Sequence, residues 1–268
     1  MKPKTLLLLF SFFFVQSIYG QFSLSVFPAD KFYEKYYADA IAHQFSLSKN
    51  FETSEWFGNI GAILPLIKLK VHSVENKISA GATVFNTLIK TPGHIKVYTV
   101  DYLVDFYLDT KLSQLLISRL IWGHLSAHYS DDGIEQLSKH SINYARDYVG
   151  LHLEHLIPLT NGKVYAGCFY NFHNEPAIDK HYTIQLGGDA SILILFNSFN
   201  VYAAFDLKIK SEVNNGTTRS FQIGMKYPAE KKEPSVRIAF THREGFEERG
   251  QLYNMKDNKN FIGLFFDF

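Results

Sequence analysis

The chain has 268 residues, a single cysteine and a formal net charge of +1, and 16% of its residues are aromatic although its hydropathy is near neutral. One cysteine excludes an internal disulfide framework, and the balanced charge argues against a nucleic-acid surface. High aromatic content with no later run of ~18 apolar residues excludes helical membrane spans; it suits a membrane barrel, in which every second strand residue faces inward.

In chain order, Lys2 and Lys4 precede an apolar run from Leu6 to Val15, followed by QSIYG (16–20). These are the basic, apolar and small-residue parts of a secretory signal peptide. The run is shorter than the ~20 residues of a membrane helix. Cleavage is expected after Gly20, and the absence of cysteine at the cut argues against a lipid anchor. Residues 21–40 read as a periplasmic lead, a short plug or part of a first strand.

From residue 41 to 268 the chain reads as twelve strands: 41–49, 56–71, 76–90, 94–109, 114–130, 140–157, 163–173, 181–195, 199–212, 218–228, 235–243 and 258–268. Alternation is clearest late in the chain. Val201, Ala203, Phe205, Leu207 and Ile209 oppose Tyr202, Asp206, Lys208 and Lys210, and a one-residue slip would bury those charges in hydrocarbon. Cys168 shares parity with Val164, Ala166 and Tyr170 and is expected to face lipid. Asn161-Gly162 reads as a tight hairpin on the periplasmic side. The longest connections, Ser130 to Lys139, Ser211 to Arg219 and Glu244 to Lys259, then fall outside the cell. The last segment puts Ile262, Leu264, Phe266 and Phe268 on one face, which resembles the assembly signal of bacterial outer-membrane barrels. A soluble β-sandwich also alternates, but strands of 14 to 17 residues exceed its usual length.

These features predict an all-β, transmembrane, antiparallel up-and-down β-barrel of about 12 strands in the outer membrane of a Gram-negative bacterium. Outer-membrane lipids and lipopolysaccharide would surround it, and the barrel-assembly machinery would insert it. The face opposite lipid collects Lys68, Lys70, Asp101, Asp105, His152, Glu154, Gln185, Asp189, Asp206, Lys208, Arg237 and, by the same count, His124, Ser126 and His128. Both charge signs occur, so a packed, ion-paired lumen is expected: a structural barrel or a narrow pore. A surface binding protein using long outer loops is a further possibility.

The densest constellation is WGHLSAHYSDD (122–132), answered by SINYARDY (141–148). Three readings fit it. In a hydrolase, Ser126 is the nucleophile, His124 the base and Asn143 the orienting group; His124 and Ser126 lie about 6.6 Å apart along one face. This pattern resembles the His-x-Ser plus Asn of outer-membrane phospholipases. It departs from it in lacking the Gly-containing segment after the serine, in a longer spacing to the asparagine, and in the expected lumenal facing. As a metal site, His124 and His128 are about 13 Å apart, and Asp131 with Asp132 supply too few ligands, so no metal and no cofactor is expected. As structure, the residues form a polar ladder at the lumen and rim, with Arg146 neutralising Asp131 or Asp132 and with His128, His152 and Glu154 in the same cluster. Asn143 and Asp147 share parity with Val149 and Leu151, which points them toward lipid unless the strand bulges.

The order of WFGNIGAILPL, RLIWGHLSAHYSDD, SINYARDYVGL and KVYAGCFYNFHNEP resembles a bacterial family known only as a domain of unknown function, over about residues 26–195. Its members are secreted and predicted to form outer-membrane barrels. They carry a strand ending in His-x-Ser-x-His with acidic residues following, then an N-Y-x-R-[DE] strand. Here Ser130 stands before the acids where a glycine is expected. The resemblance implies fold and location, and no mechanism.

Overall fold

A computed structural model describes residues 22–30, 32–33, 35–137, 141–229 and 234–268; the expected signal peptide lies outside them. The strands are β1 (Phe22–Val26), β2 (Phe45–Asn50), β3 (Glu55–Val71), β4 (Val74–Thr91), β5 (His94–Lys111), β6 (Leu116–Tyr129), β7 (Tyr144–Ile157), β8 (Gly162–Glu175), β9 (Tyr182–Leu195), β10 (Phe199–Lys210), β11 (Gly216–Tyr227), β12 (Ser235–Phe246) and β13 (Lys256–Asp267). A short helix, α1 (Asp131–Leu137), occupies the connection expected to be an outer loop.

Strands β2 to β13 each pair antiparallel with their chain neighbours, and β2 also pairs with β13, which closes a twelve-stranded barrel. Closure gives each of these strands a partner on both sides, so the paired backbone groups are satisfied without water. The twelve expected strands match in order; the first begins at Phe45 rather than 41. Outward residues such as Leu120, Trp122, Leu151, Ile184, Ile223 and Leu264 are exposed and apolar. Inward neighbours such as Arg119, His152, Gln185 and Arg237 are buried. Cys168 is exposed on the outward face, as expected. On β13, Ile262 and Leu264 are exposed outward, Phe268 just beyond it is exposed too, and the Phe266 ring packs 5.5 Å from Phe45.

The twelfth strand of the wall is interrupted. Strands β1 and β2 run in the same direction along the same edge of β3, with Val26 opposite Ile67 and Ser46 opposite Asn59. Between those pairs the chain leaves the wall and enters the lumen. Lys35 bonds Asp267 of β13 at 3.2 Å, and Asp39 accepts from Gln185 of β9 and Lys208 of β10 at 3.1 and 2.5 Å. His43 meets Thr83 of β4 and Asp105 of β5 at 2.7 and 2.9 Å. Tyr36 stacks on Tyr165 of β8 at 3.5 Å. Contacts to strands all around the barrel place this segment at its axis.

A second insert enters from the opposite end. Residues 247–255, expected to lie outside the cell as part of a long loop, fold inward instead. Glu247, Glu248, Arg249, Gly250 and Gln251 are all buried. The Gly250 amide donates to Asp101 of β5 at 2.8 Å, and Gln251 donates to the Ala127 carbonyl of β6 at 2.6 Å. The two inserts meet at Lys208, whose ammonium donates to Asp39 of one and Glu248 of the other at 2.5 and 3.1 Å.

Two further lumenal arginines are paired with carboxylates, as burial of a charge favours. Arg119 forms a fork onto Asp109 at 2.6 and 2.8 Å, and Arg237 onto Asp267 at 2.7 and 3.2 Å. The lumen is also partly apolar: Leu103, Tyr107, Ile121, Leu125, Ala127, Tyr144 and Tyr148 form one buried cluster. Lys68 and Lys70 sit near the terminal end, half-exposed or exposed, with Lys68 paired to Asp30 at 2.9 Å.

Candidate functional site

That apolar cluster inverts the expected facing of β6. Ile121, Leu125, Ala127 and Tyr129 turn inward, because on this arc the lumen is filled by tyrosines and by the second insert. His124, Ser126 and His128 therefore face outward, not into the lumen. Trp122 and Leu120 lie below them on the same face and are exposed.

The β6–β7 register sets His124 opposite Asp147 and Ser126 opposite Ala145. His124 Nδ1 lies 2.5 Å from Asp147 Oδ1. A carboxylate can only accept, so this contact puts the proton on Nδ1 and leaves the Nε2 lone pair free. Ser126 projects from the same face two residues along. The second Asp147 oxygen is 2.9 Å from Nδ1 of His173 on β8. On β5, Val104 is opposite His124 and Tyr102 opposite Ser126, and the Tyr102 ring lies 6.1 Å from that of His128. A polar group of Ser126, His124, Asp147 and His173 thus sits on the outer wall. Beneath it is an apolar surface of Leu120, Trp122, Val149, Leu151, Tyr170 and Phe172.

The other expected members are placed elsewhere. Asn143 precedes β7, beyond the last ladder pair of Ala127 with Tyr144, and is exposed; the residue bonded to His124 is Asp147. Arg146 points inward and pairs with Glu212 at 3.0 Å, not with Asp131 or Asp132. Asp132 caps the rim by accepting from the Val97 amide at 3.3 Å, with Lys96 3.8 Å away, and Asp131 is exposed at the start of α1. His152 and Glu154 are fully buried in the lumen, His152 3.3 Å from the Tyr36 hydroxyl. Among the described residues no group of three or more His, Cys, Asp or Glu side chains is arranged to hold a metal ion. Neither Asp147 nor His173 is among the residues expected in this group. The parity of Asp147 with Val149 and Leu151 was the available signal for the first.

A family model described as "Protein of unknown function (DUF1207)" matches residues 28–268. No curated protein matches the sequence. Among solved structures, the barrel is similar to the Salmonella typhi outer membrane phospholipase, crystallised as a dimer with bound calcium, at 14% identity and a TM-score of 0.50, covering 84% of this chain and 89% of that one. It is likewise similar to outer membrane phospholipase A from Escherichia coli, at 15% identity and a TM-score of 0.50, covering 87% of this chain and 98% of that one. At these identities the likeness is one of fold: the barrel resembles outer-membrane β-barrel proteins.

Proposed function

This chain belongs to the family Protein of unknown function (DUF1207), and since that family brings no assigned chemistry, we propose from the site itself that the protein is an outer-membrane hydrolase of lipid acyl esters. The supporting observation is the outward-facing group of Ser126, His124 and Asp147, with the His124–Asp147 contact at 2.5 Å. Single-chain barrels place both termini in the periplasm. By that rule the far end of β6 lies at the outer surface, and Ser126, three residues before the strand ends at Tyr129, stands at the outer-leaflet interface. The apolar wall beneath it suits acyl chains; the polar group stands where ester carbonyls lie.

In this reading the Ser126 hydroxyl attacks the ester carbonyl while His124 Nε2 takes its proton. The lysolipid alcohol leaves with that proton and an acyl-serine remains. Water, deprotonated by the same nitrogen, releases the fatty acid and restores the serine. Asp147 holds the ring and balances the imidazolium. That the similarly folded barrels are phospholipases agrees with a lipid substrate. A pore gains less support, since both inserts enter the lumen, leaving cavities of about 150 Å³ between Asp39, His43, Asp105, Lys208 and Glu248 and about 330 Å³ between Phe32, Lys77, Asp109 and Lys226. A role for long outer loops gains none from a β12–β13 connection buried inside. The outward Ile262, Leu264, Phe266 and Phe268 support recognition by the barrel-assembly machinery. The test is fatty-acid release from outer-membrane-like vesicles by refolded protein; release by the wild type that persists in Ser126→Ala would overturn the assignment.

A further inference from the structure

His173 should not be on the outer wall. Along β8, Val164, Ala166, Cys168, Tyr170 and Phe172 face outward, so strict alternation sends residue 173 into the lumen. The β7–β8 ladder breaks this count. Tyr148 is opposite Asn171, and the next residue, Asp147, is opposite His173, leaving Phe172 as an extra residue in β8. Such a bulge flips the parity of everything beyond it. The result is specific: Asn174 turns inward opposite Arg146, and His173 turns outward onto the free oxygen of Asp147 at 2.9 Å. Bulges of this kind re-aim side chains beside active sites.

We propose that His173 is a positioning residue, and that the Phe172 bulge serves to deliver it; this rests on the hydrolase reading above. Without His173 the Asp147 carboxylate has one strong partner and turns about its side-chain torsion. With imidazole N–H donors on both oxygens, its plane is fixed across three strands, β6, β7 and β8. The ring of His124 is then held by its Nδ1 in one orientation. Both bonds lie at a lipid interface, where a fixed donor is worth more than in water. His173 itself contacts neither Ser126 nor the substrate carbonyl in this scheme; it acts through Asp147.

The test compares wild type, His173→Ala and His173→Asn, all refolded, for vesicle hydrolysis and for the ¹⁵N-histidine NMR spectrum in micelles. Asparagine carries an N–H donor close to the position of Nδ1. The expected result is a kcat roughly tenfold lower in His173→Ala with little change in KM, recovery in His173→Asn, and a displaced His124 Nδ1 resonance in the alanine variant alone. Full activity and an undisplaced His124 Nδ1 resonance in His173→Ala would overturn the proposal and leave the hydrolase reading standing. If the wild type releases no fatty acid, the hydrolase reading fails by itself, and the spectrum still decides. A His124 Nδ1 resonance that moves in His173→Ala and returns in His173→Asn supports positioning; one that does not move overturns it.

Discussion

His124 Nδ1 and Asp147 Oδ1 lie 2.5 Å apart on the outside of the barrel, paired across β6 and β7. Together with the His173–Asp147 contact, this pair stands apart from the contacts of Arg119, Arg237 and Lys208, which point inward and hold the two inserts and the strands together. The His124–Asp147 pair faces lipid, where an acid and an imidazole contribute little to the fold.

Ser126→Ala, His124→Ala and Asp147→Ala should each fold normally and lower fatty-acid release by ~10²–10⁴-fold, the usual contribution of a nucleophile, base or orienter. Asn143→Ala should stay within about twofold of wild type, since Asn143 lies beyond the ladder. Release rates from vesicles, with folding checked by heat-modifiable gel mobility, separate the two groups.

Lys208→Met should cost about 3–5 kcal/mol of stability, because it leaves Asp39 and Glu248 buried without their shared cation. The loss is read as a lower denaturant midpoint in detergent. Hydrolysis by the folded fraction should remain, as Lys208 is inside and the site outside.

The second insert should open in acid. Burial alone would raise the Glu248 carboxyl, but Lys208, Lys210 and Arg243 outweigh it and bring it from 4.5 down to about 2. Glu247, buried too, is held well below the usual carboxylate range by Arg243, Lys259 and Arg249. A depressed carboxyl stabilises the fold fully above its unfolded value and loses that contribution as pH falls toward its folded one. The protection of amides over 247–253, read as the exchange rate relative to the unstructured chain at the same pH, should therefore stay high at pH 6 and fall between about pH 4.5 and 2. Protection equally high at pH 6 and pH 2 would contradict this.

Deleting Phe268 should slow assembly rather than unfold the finished barrel, since its ring only edges onto Phe45 at 6.3 Å while Phe266 makes the closer contact. The measure is the folded fraction over time in a membrane-insertion assay, against the denaturant midpoint of protein already folded.

The barrel was legible because alternation over twelve segments is a strong, redundant signal. The facing of β6 was not. Alternation defines two faces but names the lipid side only when one face is plainly polar. On β6 the inward face is Ile121, Leu125 and Ala127, and the outward one His124, Ser126 and His128. Asp147 carried the correction in its parity with Val149 and Leu151. His173 carried the opposite signal, since a bulge is a property of two paired strands and leaves no mark on the period of one. The inserts were half legible. Residues 21–40 had a plug among their possible roles, whereas the inward course of 247–255 depends on partners as distant as Asp101 and Asn59.

The interrupted strand makes the molecule modular from an engineer's point of view. Nineteen residues, 27–45, occupy a stretch of wall that faces only seven positions of β3, 60–66. A seven-residue β-forming linker in their place would join β1 to β2 as one unbroken strand. The stopper would be removed without touching the outer wall on which Ser126 sits. Shortening the β12–β13 turn would remove the second one. The same scaffold would then yield a hollow conduit and an outer-wall polar site as separate, independently adjustable parts.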